Sequence, residues 1–195
     1  MTSRTELRQH IRQQRRALSA TQRQRHARSM ASRLVHSHLF RSARNIACYL
    51  ANDGEIDLQP VIQRLWAMNK QCYLPVLGEG KEKRMWFAPY RPNERLKPNR
   101  YGIPEPDGSP RMWVSPHQLD LVLMPLVAFD AQGNRLGMGG GYYDRSFAFL
   151  NRPHGIKKPR LVGVAYELQR CDSLPFESWD VPMSAIVTES ALQRT

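Results

Sequence analysis

Apolar residues recur along this chain at two different periods. Over the first 44 residues the period is helical. Leu7, Ile11 and Leu18 share one side of a first helix, while Arg4, Arg8 and Arg12 line up at i, i+4 and i+8. Ser19 and Gln22 have the spacing of a capping box. Behind them Ala27, Met30, Ala31, Leu34, Val35, His38 and Leu39 form the stripe of a second helix, in which His38 reads as structural. The period then shortens. Ile46–Leu50 predicts a strand, Asn52-Asp53-Gly54 a turn, and Asp57 the cap of a helix reaching about Asn69 with Val61, Ile62, Leu65 and Trp66 inward. Cys72–Leu77 and Met85–Ala88 predict two more strands. Leu119–Met124, closed by Pro125, reads as a strongly buried one. Arg160–Tyr166 and Ala185–Thr188 complete the set, and a helix is expected through Leu150. Strands alternating with helices predict an α/β fold with a mainly parallel sheet covered on both faces.

Residues 91–117 interrupt the pattern. They hold prolines 92, 98, 104, 106, 110 and 116 and read as a long irregular loop around Tyr101-Gly-Ile-Pro-Glu-Pro106. The chain is expected to form one domain over 1–195, with a helical amino-terminal segment over 1–44. No run approaches the roughly 20 apolar residues of a membrane span, and no signal peptide is evident. Cys48, Cys72 and Cys171 lack metal-site spacing and read as reduced thiols of a cytoplasmic protein.

Charge changes the picture at one end only. The net charge is +12, and residues 1–44 supply +10 of it: eleven arginines, no lysine and one acid, Glu6. The remaining 151 residues carry +2. Such a segment suits an anionic partner, whether nucleic acid, a polyphosphate or a polyanionic small molecule. Arg12, Arg15 and Arg16 read as solvated charges. No nucleic-acid-binding module is evident.

The chemistry concentrates in Gly133–Asp144. Gly137, Gly139, Gly140 and Gly141 stand just before a predicted helix, where successive amides can form an anion nest. Arg135 adds positive charge. Asp144 follows as a hard oxygen ligand suited to magnesium. The segment is not a P-loop, and Tyr142 occupies the third glycine position of the dinucleotide fingerprint.

Asn134-Arg-Leu-Gly-Met-Gly-Gly-Gly-Tyr-Tyr-Asp144 resembles the signature of the 5-formyltetrahydrofolate cyclo-ligase (5,10-methenyltetrahydrofolate synthetase) family. Leu7-Arg8, Tyr49 through Gly54-Glu55-Ile56, Tyr101–Pro106 and Trp179-Asp180-Val-Pro-Met183 follow the family's order, so the resemblance spans nearly the whole chain. It implies a three-layer α/β/α sandwich with a mainly parallel Rossmann-like sheet. It also implies a ligase that closes 5-formyltetrahydrofolate to 5,10-methenyltetrahydrofolate with ATP as co-substrate and Mg2+ as cofactor. Carried over by position, the ATP contacts are Arg4, Arg8, Arg135, Leu136, Gly137, Met138, Gly139, Gly140, Gly141, Tyr142 and Tyr143. The folate contacts are Leu50, Glu55, Tyr101 and the loop from Met138 to Tyr142. The metal carboxylates are Asp144 and Asp180, and Arg135 with Asp144 forms the catalytic pair. Arg4 and Gly140 stand where some relatives carry lysine. The expected partners are ATP and 5-formyltetrahydrofolate, with its polyglutamate length left open; no nucleic acid or membrane partner is expected, and the protein is expected to be monomeric. A nucleic-acid binder, another enzyme on the same fold and a non-catalytic folate store are the alternatives.

Overall fold

A computed structural model describes residues 3–78, 84–152 and 158–195; Met1 and Thr2 of the amino-terminal segment lie outside them. The chain opens with two capped helices, α1 (Arg4–Ala17) and α2 (Ala20–Val35). Ser3 and Glu6 cap the first reciprocally, and Ser19 and Gln22 form the predicted capping box of the second. The apolar stripe of α2 ends one turn before His38. That residue begins a separate short helix, α3 (His38–Ser42), capped by Ser37, and is exposed. Phe40, not His38, is the side chain α3 buries.

The central sheet is built from β1 (Asn45–Ala47), β2 (Gln71–Leu77), β3 (Met85–Pro89), β6 (Leu121–Pro125), β9 (Arg160–Val164), β10 (Ala185–Val187) and β11 (Leu192–Arg194). Its order is β11-β10-β9-β6-β1-β2-β3. The five inner strands are parallel, and the two edge strands, β3 and β11, run antiparallel to them. Two short hairpins stand apart: β4 (Leu96–Pro98) with β5 (Pro104–Pro106), and β7 (Ala128–Phe129) with β8 (Arg135–Leu136). Residues 91–117 are therefore not irregular throughout. Two-stranded ribbons tolerate proline, because the missing N–H can face outward.

Alternation along the inner strands divides the core into two layers. Leu121 and Leu123 pack with α2, α3 and α4 (Gln59–Ala67) on one face. Val122 and Met124 pack with α5 (Tyr142–Phe147) and β3 on the other. The result is helix, sheet, helix. Leu58 occupies the cap of α4, and Asp57 accepts a hydrogen bond from Gln59 one residue further on (2.9 Å). The helix expected through Leu150 ends at Phe147 and tightens into a 3-10 turn, Ala148–Asn151.

The chain leaves β1 toward β2 on one side, while β6 continues toward β9 and β10 on the other. The carboxyl ends of β1 and β6 thus flank a topological switch point, where open α/β sheets leave a crevice. Among the described residues no helix is long and apolar enough to cross a membrane. Cys48, Cys72 and Cys171 are free thiols, the first two buried.

Candidate functional site

A cleft of about 640 Å³ opens at that switch point. Four segments build it. The first follows β1: Tyr49 and Leu50 lead into the turn at Asn52-Asp53-Gly54, and Glu55 follows. Two successive left-handed residues make the turn, Asp53 (φ +51°) and Gly54 (φ +74°). A Cβ at Gly54 would meet the Arg15 carbonyl at an ordinary 3.5 Å, so the left-handed backbone angle and not space is what favours glycine there. The turn closes on itself. The Glu55 carboxylate accepts from the Asn52 N–H (3.0 Å), and the Glu55 N–H donates to the Asn52 carbonyl (2.9 Å).

The second segment is the glycine loop. The β7–β8 hairpin before it is held by Asp130, a buried carboxylate accepting from the Gln132 and Asn134 N–H groups (both 3.0 Å), the Asn134 side-chain amide (2.9 Å) and the Leu174 N–H (3.0 Å). Gly139 (φ +93°) and Gly141 (φ +64°) take backbone angles that L side chains rarely adopt, and Gly141 caps α5 without a side-chain bond. Arg135, on β8, is buried at its guanidinium. It donates to the Val181 carbonyl and pairs with Asp144. The Val181 N–H also reaches Asp144 (3.4 Å).

The third segment is α1. Its i, i+4 row of arginines is divided among three tasks. Arg4 donates to the Pro175 carbonyl (2.8 Å) and faces Glu177 (3.7 Å) and Asp180 (3.9 Å). Arg8 donates to the Gly137 carbonyl (2.8 Å), which brings its guanidinium within 3.8 Å of the space above Gly139. Arg12 turns to Asp53 (2.6 Å). The sequence suggests that Arg12, Arg15 and Arg16 are solvated charges; Arg16 is exposed and Arg12 partly so, but Arg15 is not. All three bind Asp53, and Arg15 is 1% exposed.

The fourth segment is the Pro-rich stretch. Glu105 is buried and accepts from the Leu77 N–H (3.0 Å) and the Asn99 amide (2.8 Å), fixing the β4–β5 hairpin to β2. This presents Tyr101, 57% exposed, at the rim, with its hydroxyl 3.4 Å from that of Tyr142. Arg100 donates to the Tyr142 hydroxyl and lies over the Tyr101 ring (5.2 Å).

All the site residues named from the sequence line this one cleft: Arg4, Arg8, Leu50, Glu55, Tyr101, the whole run Arg135–Asp144, and Asp180. The sequence reading missed Asp130 and Glu105, whose buried carboxylates shape the site from behind, and Trp179, which stands 65% exposed at the mouth. A turn-forming Asp three residues before a glycine, Asp130-Ala-Gln-Gly133, was the available signal for Asp130.

Two carboxyls carry opposite electrostatic signatures. Burial pushes Glu55 up from an ordinary 4.5 to about 7, against the Asn52 N–H and the charges of Arg15 and Arg12; Asp53 adds to the rise. Burial also pushes Asp53 up, but its hydrogen bonds from Arg12 and Arg16 outweigh that and hold it below the usual carboxylate range. Tyr143 is raised by burial and by the nearby Glu55.

Asp144 and Asp180 are hard oxygen donors of the kind magnesium takes when it keeps most of its shell as water and phosphate oxygen. Both carboxylates line the cleft, and Asp144 keeps one oxygen clear of its bonds to Arg135 and Val181. Among the described residues no cluster of three or more His, Cys, Asp or Glu side chains forms a dedicated cage.

The architecture is that of an α/β sandwich with a cleft at the switch point of its sheet, lined by a glycine loop, three arginines and five carboxylates. Comparison with known proteins makes that class specific. The family model for 5-formyltetrahydrofolate cyclo-ligases matches residues 1–189. The 5-formyltetrahydrofolate cyclo-ligase of Escherichia coli (strain K12) is 42% identical over 180 residues, covering 92% of this chain and 97% of that one. That of Haemophilus influenzae is 40% identical over 184 residues, covering 94% and 96%. The NMR structure of 5,10-methenyltetrahydrofolate synthetase from Aquifex aeolicus superposes with a TM-score of 0.79 at 33% identity, covering 98% of this chain and 92% of that one. The chain belongs to the 5-formyltetrahydrofolate cyclo-ligase family, and it is an enzyme.

Proposed function

We propose that the cleft closes 5-formyltetrahydrofolate to 5,10-methenyltetrahydrofolate at the expense of ATP, releasing ADP and phosphate. The observation that carries this reading is that one cleft holds the donors for a polyphosphate together with groups suited to a pterin. Arg8, Arg4 and the amides of the glycine loop are the donors a polyphosphate needs. Leu50, Glu55 and Tyr101 line the same cleft and bring apolar, carboxylate and aromatic character suited to a pterin and its N–H groups.

A formamide resists attack because its nitrogen lone pair is delocalised onto oxygen, which makes oxygen the nucleophilic end. Transfer of the γ-phosphoryl group to that oxygen gives a phosphorylated formyl group, an imidate phosphate. N10 of the folate then bonds to the formyl carbon. Phosphate and the N10 proton leave as the amidine-like ring forms. Phosphoryl transfer asks the protein mainly for alignment and charge neutralisation. Arg8 and the amides of Gly137–Gly141 supply donors fixed in place before the substrate arrives. Arg135 holds Asp144 toward the cleft from a buried position. Asp144 and Asp180 would hold magnesium, which supplies positive charge against the phosphate oxygens. Glu55 accepts from folate N–H groups, and Tyr101 with Tyr142 covers the mouth.

The test is absorbance-monitored formation of the methenyl product with and without ATP and magnesium, with ADP counted in parallel. One ADP per product is expected; full-rate turnover without ATP would sink the reading. The division of labour on the arginine helices gives a sharper check. Arg8→Ala is expected to weaken ATP binding by about 1.5–3 kcal/mol, the loss of a charge-assisted contact. Arg25, exposed on α2, should change it by less than about 0.5 kcal/mol when replaced by alanine. Titration calorimetry that finds equal, small effects would return Arg8 to the solvated surface.

A further inference from the structure

We infer that Asp53 is a positioning residue for the ring-closing site, the point through which α1 fixes the turn that presents Glu55. The inference rests on the reading that Arg8 serves the polyphosphate and Glu55 the folate. Asp53 Oδ2 accepts from Arg12 Nε (2.6 Å) and Arg15 Nη2 (3.0 Å), and its Oδ1 accepts from Arg16. Three guanidinium groups on one carboxylate exceed what neutralisation needs. What they add is direction: the carboxylate is approached from three positions on one helix and has little freedom to turn.

Arg15 does more than pair. Its Nε donates to the Asp53 backbone carbonyl (3.1 Å) and its Nη1 to the Leu126 carbonyl (3.4 Å) just beyond β6. One buried side chain therefore joins α1, the turn after β1 and the end of β6, three of the segments that meet at the switch point. The turn transmits this to Glu55 through the paired Asn52–Glu55 hydrogen bonds already described. At its other end α1 places Arg8 on the Gly137 carbonyl (2.8 Å). Seven residues of helix separate Arg8 from Arg15, a span of about 10 Å. The helix thus works as a spacer of fixed length between the glycine loop and the turn that carries Glu55, with Asp53 as its fastening at the turn. Asp53 itself keeps a left-handed backbone (φ +51°), a conformation Asp and Asn tolerate better than other side chains.

Asp53→Asn tests this, because asparagine keeps the backbone angle and an acceptor but removes the charge. The KM for 5-formyltetrahydrofolate should rise about tenfold and that for ATP about threefold, while kcat at saturation stays within about threefold. A variant with a lowered melting temperature but both KM values within about twofold of wild type would overturn the proposal, since a purely structural clamp predicts that result. Arg16, more than half exposed, offers a variant that keeps the fold. Arg16→Gln should raise the folate KM about two- to threefold without moving the melting temperature, and Arg16→Lys should restore it. If Asp53→Asn fails to fold, an unchanged folate KM in Arg16→Gln overturns the proposal. If wild-type turnover proves independent of ATP, the polyphosphate reading fails, and the folate KM of both variants still decides the role of Asp53.

Discussion

Glu55→Gln is expected to stabilise the fold at pH 8 by about 2–3 kcal/mol while raising the KM for the formyl folate about tenfold. The sign follows from burial. In the unfolded chain this carboxyl titrates near 4.5, and in the folded cleft near 7. Below pH 4.5 both states hold the proton, and the site carries no charge. Between pH 4.5 and 7 the unfolded chain releases it and the folded chain retains it, so stability falls as pH rises. Above 7 the folded state holds a largely desolvated carboxylate, and the full penalty applies. A shift of 2.5 units corresponds to about 3.4 kcal/mol, reduced here because the side chain opens partly onto the cleft. Glutamine keeps the shape and the acceptor for the Asn52 N–H but never ionises. Denaturant titrations of both proteins at pH 5 and pH 8 check the claim. Equal pH slopes for wild type and variant would show that Glu55 titrates as an ordinary carboxyl. A cleft-lining carboxyl that destabilises its own fold above pH 7 is the pattern expected of a site built for ligand rather than for rigidity.

Asp144→Asn is expected to lower kcat/KM for ATP by about 10²-fold or more at limiting magnesium. Asparagine still accepts from the Val181 N–H, so the loop behind α5 keeps its place. Two things are lost together: a hard anionic oxygen facing the cleft, and the charge partner of the buried Arg135 guanidinium. Excess magnesium should recover only part of the activity. Asp180→Asn should have the smaller effect, because Asp180 is already engaged by the Glu177 N–H (3.0 Å) and lies near Arg4. Turnover of Asp144→Asn that matches wild type across a magnesium titration would remove Asp144 from the metal site.

The parallel core was legible because its strands are buried on both faces and read as unbroken apolar runs, Leu121–Pro125 most plainly. The glycine loop was legible because four glycines beside Arg135, Tyr142, Tyr143 and Asp144 have no ordinary structural explanation. What escaped has physical causes. The edge strand β11 carries Gln193 and Arg194, and β7 and β8 are two residues long, too short for any period to show. The β4–β5 hairpin is written in prolines, which normally argue against a strand. Arg12, Arg15 and Arg16 were read as solvated because their partner lies 37 to 41 residues away, beyond any local spacing rule. A signal did exist for Arg15. Ile11, Arg15 and Leu18 fall at i, i+4 and i+7, which puts that arginine in the middle of the buried stripe. His38 failed in the opposite direction, since the helix that would have carried it inward stops at Val35.

The position of α1 in the chain bears on how the enzyme is made. It is synthesised before the residues it binds: Arg15 waits for Asp53 and Leu126, Arg8 for Gly137, and Arg4 for Pro175. A nascent chain that has not yet reached Gly137 and Pro175 thus displays Arg8 and Arg4 without those partners, and half a cleft. Its inner sheet is equally delayed, because β1 pairs with β6 some 75 residues later in the sequence. The cleft is therefore completed only when Gly137 and Pro175 reach Arg8 and Arg4. Until then Arg4 and Arg8 stay open to other anionic groups.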